Sequence, residues 1–191
     1  KLKRIKEVAE HLFRERGYEA TTIRDISEGA DVAVGTIFLY FKDKSDLLIK
    51  LYDEALETTW QAVLAEEPRD TLLENLLTAF AKLLEFHARD SRLAITYLKE
   101  VLSQDASQGW SEGLNRFLEQ LTSLVQQAQD RGEVMRGVNA LQAARNFFAL
   151  YYAALTGMLS GSLTAEMTVQ HFLKPALELQ LHGVMSKGGS Q

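Results

Sequence analysis

The chain has 191 residues, 46% of them hydrophobic and only two of them proline, so it is long and apolar enough to bury a substantial core. It has no cysteine, which excludes disulfides and thiolate metal sites, and no run of about eighteen apolar residues, so no membrane span is expected. The net charge of −5 argues against general affinity for nucleic acid, but the acidity is uneven: residues 1–50 carry ten Lys/Arg against nine Asp/Glu, and residues 51–191 carry eleven against seventeen.

Residues 1–16 are predicted to form an amphipathic helix, because Ile5, Val8, Ala9, Leu12 and Phe13 follow the spacing of a buried stripe. Lys1, Lys3, Arg4 and Lys6 cluster at its start, either as a solvated helix end or as a basic arm near DNA. The chain begins at Lys1 rather than Met, so a short preceding stretch is expected; no signal-peptide pattern is visible. Gly17 suits the residue that ends the helix. Thr21 or Thr22 offers a hydroxyl cap for a second helix, with Asp25 placed to complete a capping box on Thr22. Ile23, Ile26 and Ala30 give that helix one apolar face, and Gly29-Ala30-Asp31 breaks it.

A third helix begins at Ala33, with Ile37 and Phe41 pointing inward. Val34, Gly35, Thr36, Phe38, Leu39 and Tyr40 are left on or near the outside. A helix, a tight turn and a short helix with small, hydroxyl and aromatic residues facing out is the helix-turn-helix pattern that lays its second helix in a DNA major groove. Asp43 is expected to cap a fourth helix, with Asp46 three residues on. Lys44, in its first turn beside a free helix N-terminus, then makes a phosphate clamp.

The fourth helix reaches about Glu66, too far to serve the DNA-reading domain alone. Pro68 marks a connector. Further helices are predicted at about 70–89, 93–102 and 110–130, with a polar loop at 103–109. The helix from Asn139 to about Ser160 has almost no polar face and is predicted to be buried on all sides. The last runs from Thr164 to about His182, and Pro175 should kink or divide it. The terminal Ser-Lys-Gly-Gly-Ser-Gln is expected to be disordered.

Catalytic constellations are poor. His11, His87, His171 and His182 show no metal-ligand spacing on a predicted helix face and read as structural or surface residues. There is no phosphate-cradling glycine loop and no nucleophile elbow. No cofactor, metal or enzymatic activity is expected.

Gly17-Tyr18, Ala20-Thr21-Thr22, Ile26, Val32, Gly35-Thr36-Ile37, Tyr40-Phe41 and Lys44 through Leu47-Leu48 fall in an order and spacing that resemble the tetracycline-repressor (TetR) family. The resemblance covers about the first quarter of the chain; the rest is similar only in length and helical pattern. It implies an all-α protein with a three-helix DNA-binding domain over 1–46, a helical ligand-binding and dimerisation domain over 47–184, and a tail at 185–191. It implies DNA contacts from Thr22, Gly35, Thr36, Tyr40 and Lys44. Ala33, Val34, Phe38 and Leu39 complete the expected DNA surface, Val34 through apolar contact such as a thymine methyl. Two positions depart from the family pattern: Ala33 stands where a capping serine is common, and Phe38 where tyrosine is common.

The resemblance also implies an apolar or aromatic pocket, for which the candidates are Trp60, Phe86, His87, Tyr97, Trp110, Phe117, Phe148 and Tyr151. A dimer interface is expected at Phe147, Leu155, Met158, Phe172 and Leu177. The reading is a cytoplasmic, homodimeric, ligand-responsive transcriptional regulator, a repressor released from a palindromic operator by a small apolar or aromatic ligand. The alternatives are a helical small-molecule-binding protein without DNA-reading function and an enzyme with an unrecognised site.

Overall fold

In this computed structural model, which describes residues 1–103, 112–161 and 163–182, the described elements are all helical and no strand occurs among them. The expected terminal tail, Trp110 and most of the expected 103–109 loop lie outside the described residues. The elements are α1 (Leu2–Arg16), α2 (Ile23–Ala30), α3 (Val34–Phe38), α4 (Lys44–Leu64), α5 (Leu72–Arg89), α6 (Ser91–Ser103), α7 (Glu112–Asp130), α8 (Ala140–Leu159), α9 (Ala165–Thr168), a π-helical segment (Val169–Leu173) and α10 (Lys174–His182). They group into two compact units, residues 1–58 with 89–113, and residues 59–88 with 114–191.

The first unit is built on the stripe of α1. Ile5, Ala9, Leu12 and Phe13 pack with Tyr18, Ile26, Ala30, Ile37, Phe41, Leu47 and Leu48 in one core, with Val32 and Leu93 against it. Gly29 lets α2 lie close to α1, since a Cβ there would stand 2.7 Å from Val8 Cγ1. The two adjacent threonines divide their work. Thr22 caps α2 through a complete capping box, and Thr21 turns back on α1, its hydroxyl donating to the carbonyls of Gly17 at 2.8 Å and Leu12 at 3.3 Å. The Gly17 carbonyl, just past the end of α1, is thereby satisfied. Asp31 ends α2 in the left-handed region at φ 52°, the only non-glycine residue with positive φ among those described.

The second unit gathers α5, the described part of α7, α8 and the C-terminal helices around Trp60, Leu76, Phe80, Leu84, Leu121, Val125, Phe147, Tyr151, Leu173 and Leu177, all buried. Asn139 caps α8 by accepting from the Gln142 N–H at 2.9 Å. Gln129 donates to the Met135 and Val138 carbonyls and so pins the α7–α8 loop. The run containing Pro175 is divided as expected, by five π-helical residues immediately ahead of it; the wider turn leaves room for a residue that cannot donate to the helix ladder. α8 departs from expectation. The face at Ala144, Phe147, Tyr151, Ala154, Leu155 and Met158 is buried, but Leu141, Gln142, Arg145, Ala149, Ala153, Thr156 and Gly157 on the other side are exposed.

His87 lies inside this core at 2% exposure, and burial pushes its imidazole from the ordinary 6.5 down to about 4. The folded protein thus binds fewer protons than the unfolded chain between those values. Stability is complete above about pH 6.5 and falls as pH drops toward about 4, by roughly 3 kcal/mol at most. Urea unfolding from pH 7.5 to 4.5 is expected to show this loss, and His87→Gln to remove the His87 part of the slope even if it lowers stability throughout.

Candidate functional site

α3 has only five residues, too few to persist alone. It is held by Ile37, fully buried, and by the neighbouring Phe41. Those anchors turn Val34, Phe38, Leu39 and Tyr40 outward, at 39%, 50%, 80% and 42% exposure. Gly35 is exposed and Thr36 half-buried. A Cβ built on Gly35 meets nothing within 4 Å, so the fold does not require glycine there. What the glycine leaves is bare backbone on the outer face, where another molecule can approach closely. Ala33 opens α3 with no side-chain cap.

The expected DNA surface is therefore a continuous outward patch from Ala33 to Tyr40, apolar at its centre. Thr22 stands exposed at the head of α2. Its hydroxyl donates to Asp25 Oδ2 at 2.6 Å and its backbone N–H donates to the same oxygen at 2.8 Å, and these two bonds hold the Asp25 carboxyl below its usual range. Lys44 is half-buried. Its ammonium donates to the carbonyls of Tyr18 at 2.9 Å and Thr21 at 3.0 Å and lies 4.1 Å from the centre of the Tyr18 ring. Nor is the head of α4 free: the Asp46 N–H donates to Asp43 Oδ1 at 2.8 Å, and the Lys42 N–H donates to Asp46 Oδ2 at 2.9 Å.

Of the residues expected to line a ligand pocket, the structure joins four. Phe117 packs edge-on to Trp60 at 4.8 Å and to Phe148 at 6.1 Å, and lies 6.2 Å from Tyr151, which stacks on Phe80 at 4.9 Å. Phe86 and His87 form a separate edge-to-face pair at 5.6 Å. Tyr97 belongs to the first unit, where it stacks on Tyr52 at 4.2 Å and donates its hydroxyl to Asp53 at 2.7 Å. Trp110 lies outside the described residues. The indole N–H of Trp60 is buried with no acceptor among the described residues. Of the residues expected at a dimer interface, Phe172 is exposed at 41%, while Phe147, Leu155, Met158 and Leu177 are within the core of the chain's own second unit.

Thr21, which closes the end of α1, and Asp53, which holds Tyr97, are placed by contacts that no local sequence pattern predicts. Asp31 carried a signal, a short polar residue at the break between two helices.

The profile of bacterial regulatory proteins of the tetR family matches residues 5–51, which span α1, α2, α3 and the start of α4. The fatty acid metabolism regulator protein of Bacillus subtilis is 26% identical over 190 residues, covering 98% of this chain and 97% of that protein. The chain is a transcriptional regulator of the TetR family. The crystal structure of FadR from Bacillus subtilis in complex with stearoyl-CoA is similar over 97% of this chain and 100% of that one, with 26% identity and a TM-score of 0.70. Thermus thermophilus FadR, solved in complex with lauroyl-CoA, shares the fold over 100% of this chain and 99% of that one, at 23% identity and a TM-score of 0.81.

Regulators of this family bind operator DNA, dimerise and respond to small ligands, and this TetR-family chain is such a ligand-responsive DNA-binding regulator. No helix among the described residues is long and apolar enough to cross a membrane. Gly35→Ala should leave unfolding unchanged or raise stability by up to about 1 kcal/mol through helix propensity. It should weaken operator binding at least tenfold in a mobility-shift titration, because the resemblance implies a close DNA contact at Gly35 that a methyl would obstruct. Phe38→Tyr should strengthen operator binding in the same assay, by restoring the tyrosine hydroxyl that the family pattern carries there.

Proposed function

We propose that this regulator controls genes of fatty acid metabolism and leaves its operator on binding a long-chain acyl-CoA. The observation that carries the reading is the extent of the similarity to the Bacillus subtilis fatty acid metabolism regulator, 98% of this chain, well beyond the DNA-reading segment. The relative solved with stearoyl-CoA is likewise similar along its whole length. The interior of the second unit suits an acyl chain: Trp60, Phe80, Phe117, Phe148 and Tyr151 form a connected aromatic wall. A buried polar group ordinarily has a partner. The Trp60 N–H, without an acceptor among the described residues, is a donor that a thioester carbonyl would satisfy.

The rest of the assignment follows from that role. In this reading Thr22 and the Ala33–Tyr40 patch meet the operator, with apolar contact from Val34 and Leu39 and hydroxyls from Thr36 and Tyr40. Residues 1–46 serve as the DNA-binding domain and 47–184 as the ligand-binding and dimerisation domain. The exposed side of α8, with small Ala149, Ala153 and Gly157 four residues apart, supports pairing with a second copy together with Phe172 and Leu179. A two-fold dimer carries two copies of α3 about 34–36 Å apart onto a palindrome. The protein is read as a cytoplasmic binding protein, not an enzyme, and as a repressor rather than an activator.

The test is recovery of bound fragments from the source genome by the purified protein, followed by challenge with acyl-CoAs of graded length, free coenzyme A and aromatic compounds. Long-chain acyl-CoA should release the recovered operator, and coenzyme A alone should not. Trp60→Phe should lower acyl-CoA affinity about 5–10-fold while leaving operator affinity intact. Release by an aromatic compound and by no acyl-CoA would refute the proposed ligand.

A further inference from the structure

We propose that Asp53 is a positioning residue for operator recognition. From α4 it ties together the three helical segments through which the chain passes between its two units, and so fixes the separation at which two copies of α3 meet a palindrome. The chain passes from one unit to the other after residues 58, 88 and 113. The first-unit segments beside these passages lie on α4, α6 and α7. Asp53 stands on α4, and its Oδ1 accepts the hydroxyl of Tyr97 on α6 at 2.7 Å. Gly113 on α7 lies against the same carboxyl. A Cβ there would stand 2.6 Å from both Asp53 Cγ and Oδ2, closer than side-chain atoms pack, so only bare backbone fits beside the carboxyl as it is placed.

The neighbours of Asp53 extend the tie. Tyr52 stacks on the Tyr97 ring at 4.2 Å, so the residue whose hydroxyl Asp53 holds is also fixed on its face. Both rings are buried, at 6% and 9% exposure. Glu54 forms an ion pair with Lys6 of α1, the helix whose stripe carries α2 and α3. The core under α3 takes residues of α4 up to Leu51. Tyr52, Asp53 and Glu54 come next, where the helix leaves that core, and together they hold α6, α7 and α1. A hydrogen bond to a charged group is among the stronger polar contacts of a fold. α4 is one continuous helix whose first turn follows α3 closely, so a change of tilt at Asp53 is carried back to the reading helices. With two copies of α3 on one operator, tilt becomes a change of spacing.

The proposal rests on the reading of the chain as a dimeric operator-binding regulator, and the test separates the two. Full-length wild-type protein and its Tyr97→Phe, Gly113→Ala and Asp53→Ala variants are titrated on four duplexes. These are the operator recovered by selection, the same operator with one base pair added or removed at its centre, and a random sequence. Each variant is measured at a temperature where it is folded and a concentration where it is dimeric. Wild type should prefer the native spacing. Tyr97→Phe removes only the hydroxyl and keeps the ring on Tyr52; it should lower the ratio of native-spacing to altered-spacing affinity about fivefold. Gly113→Ala should act in the same direction by displacing the carboxyl. Alanine is the better helix former, so that loss is not the mark of a weaker helix. Asp53→Ala should have the largest effect, and combining it with Tyr97→Phe should add little, since both act on one bond.

A merely structural role would lower affinity for every spacing alike, or leave it unmoved in the folded protein. An unchanged spacing ratio in Tyr97→Phe or in Gly113→Ala overturns the proposal. So does a tighter hold on the native operator, a wild-type protein indifferent to spacing, or effects of Asp53→Ala and Tyr97→Phe that add in full. A wild-type protein that does not distinguish the operator from the random duplex refutes the operator-binding reading instead.

Discussion

α3 exists only because Ile37 is held down. Five residues cannot repay the cost of nucleating a helix in water, so the fully buried Ile37 and the neighbouring Phe41 supply what the local backbone cannot. Burying these two fixes which side of the segment faces out, and that side carries Val34, Gly35, Phe38 and Leu39. The expected DNA-reading surface is thus the complement of a core contact. The apolar stripe of α1 is the floor on which α2 and α3 are set.

Around that floor the polar groups are arranged to close helix ends rather than to advertise charge. Thr22 with Asp25 and Asp43 with Asp46 each satisfy N–H groups that a helix start leaves open, and Thr21 takes the Gly17 carbonyl just past the end of α1. Three of the nine carboxylates in the first fifty residues, Asp25, Asp43 and Asp46, are committed in this way.

The sequence made the reading helices legible because their signals are local. The hydroxyl and carboxylate of Thr22 and Asp25 lie three residues apart, and Ile37 and Phe41 lie four apart, so pattern and geometry coincide. Asn139 and Pro175 were readable for the same reason. The intrachain partners of Lys44 were not: Tyr18 and Thr21, whose carbonyls take its ammonium, are more than twenty residues away. α8 exposes a different limit. Apolar periodicity says that a surface leaves water without saying whether its own chain or another covers it, so Phe147 and Leu155 could not be told from Ala149 and Ala153. Aromatic content likewise did not reveal that Tyr97 stacks on Tyr52 while Phe117 packs on Trp60.

The outward patch on α3 also bears on the protein away from DNA. Phe38 at half exposure and Leu39 at 80% keep two large apolar side chains in water side by side. Left uncovered, these groups are open to any apolar surface, including the same patch on another molecule. Whatever covers this patch therefore also keeps the chain from associating through it.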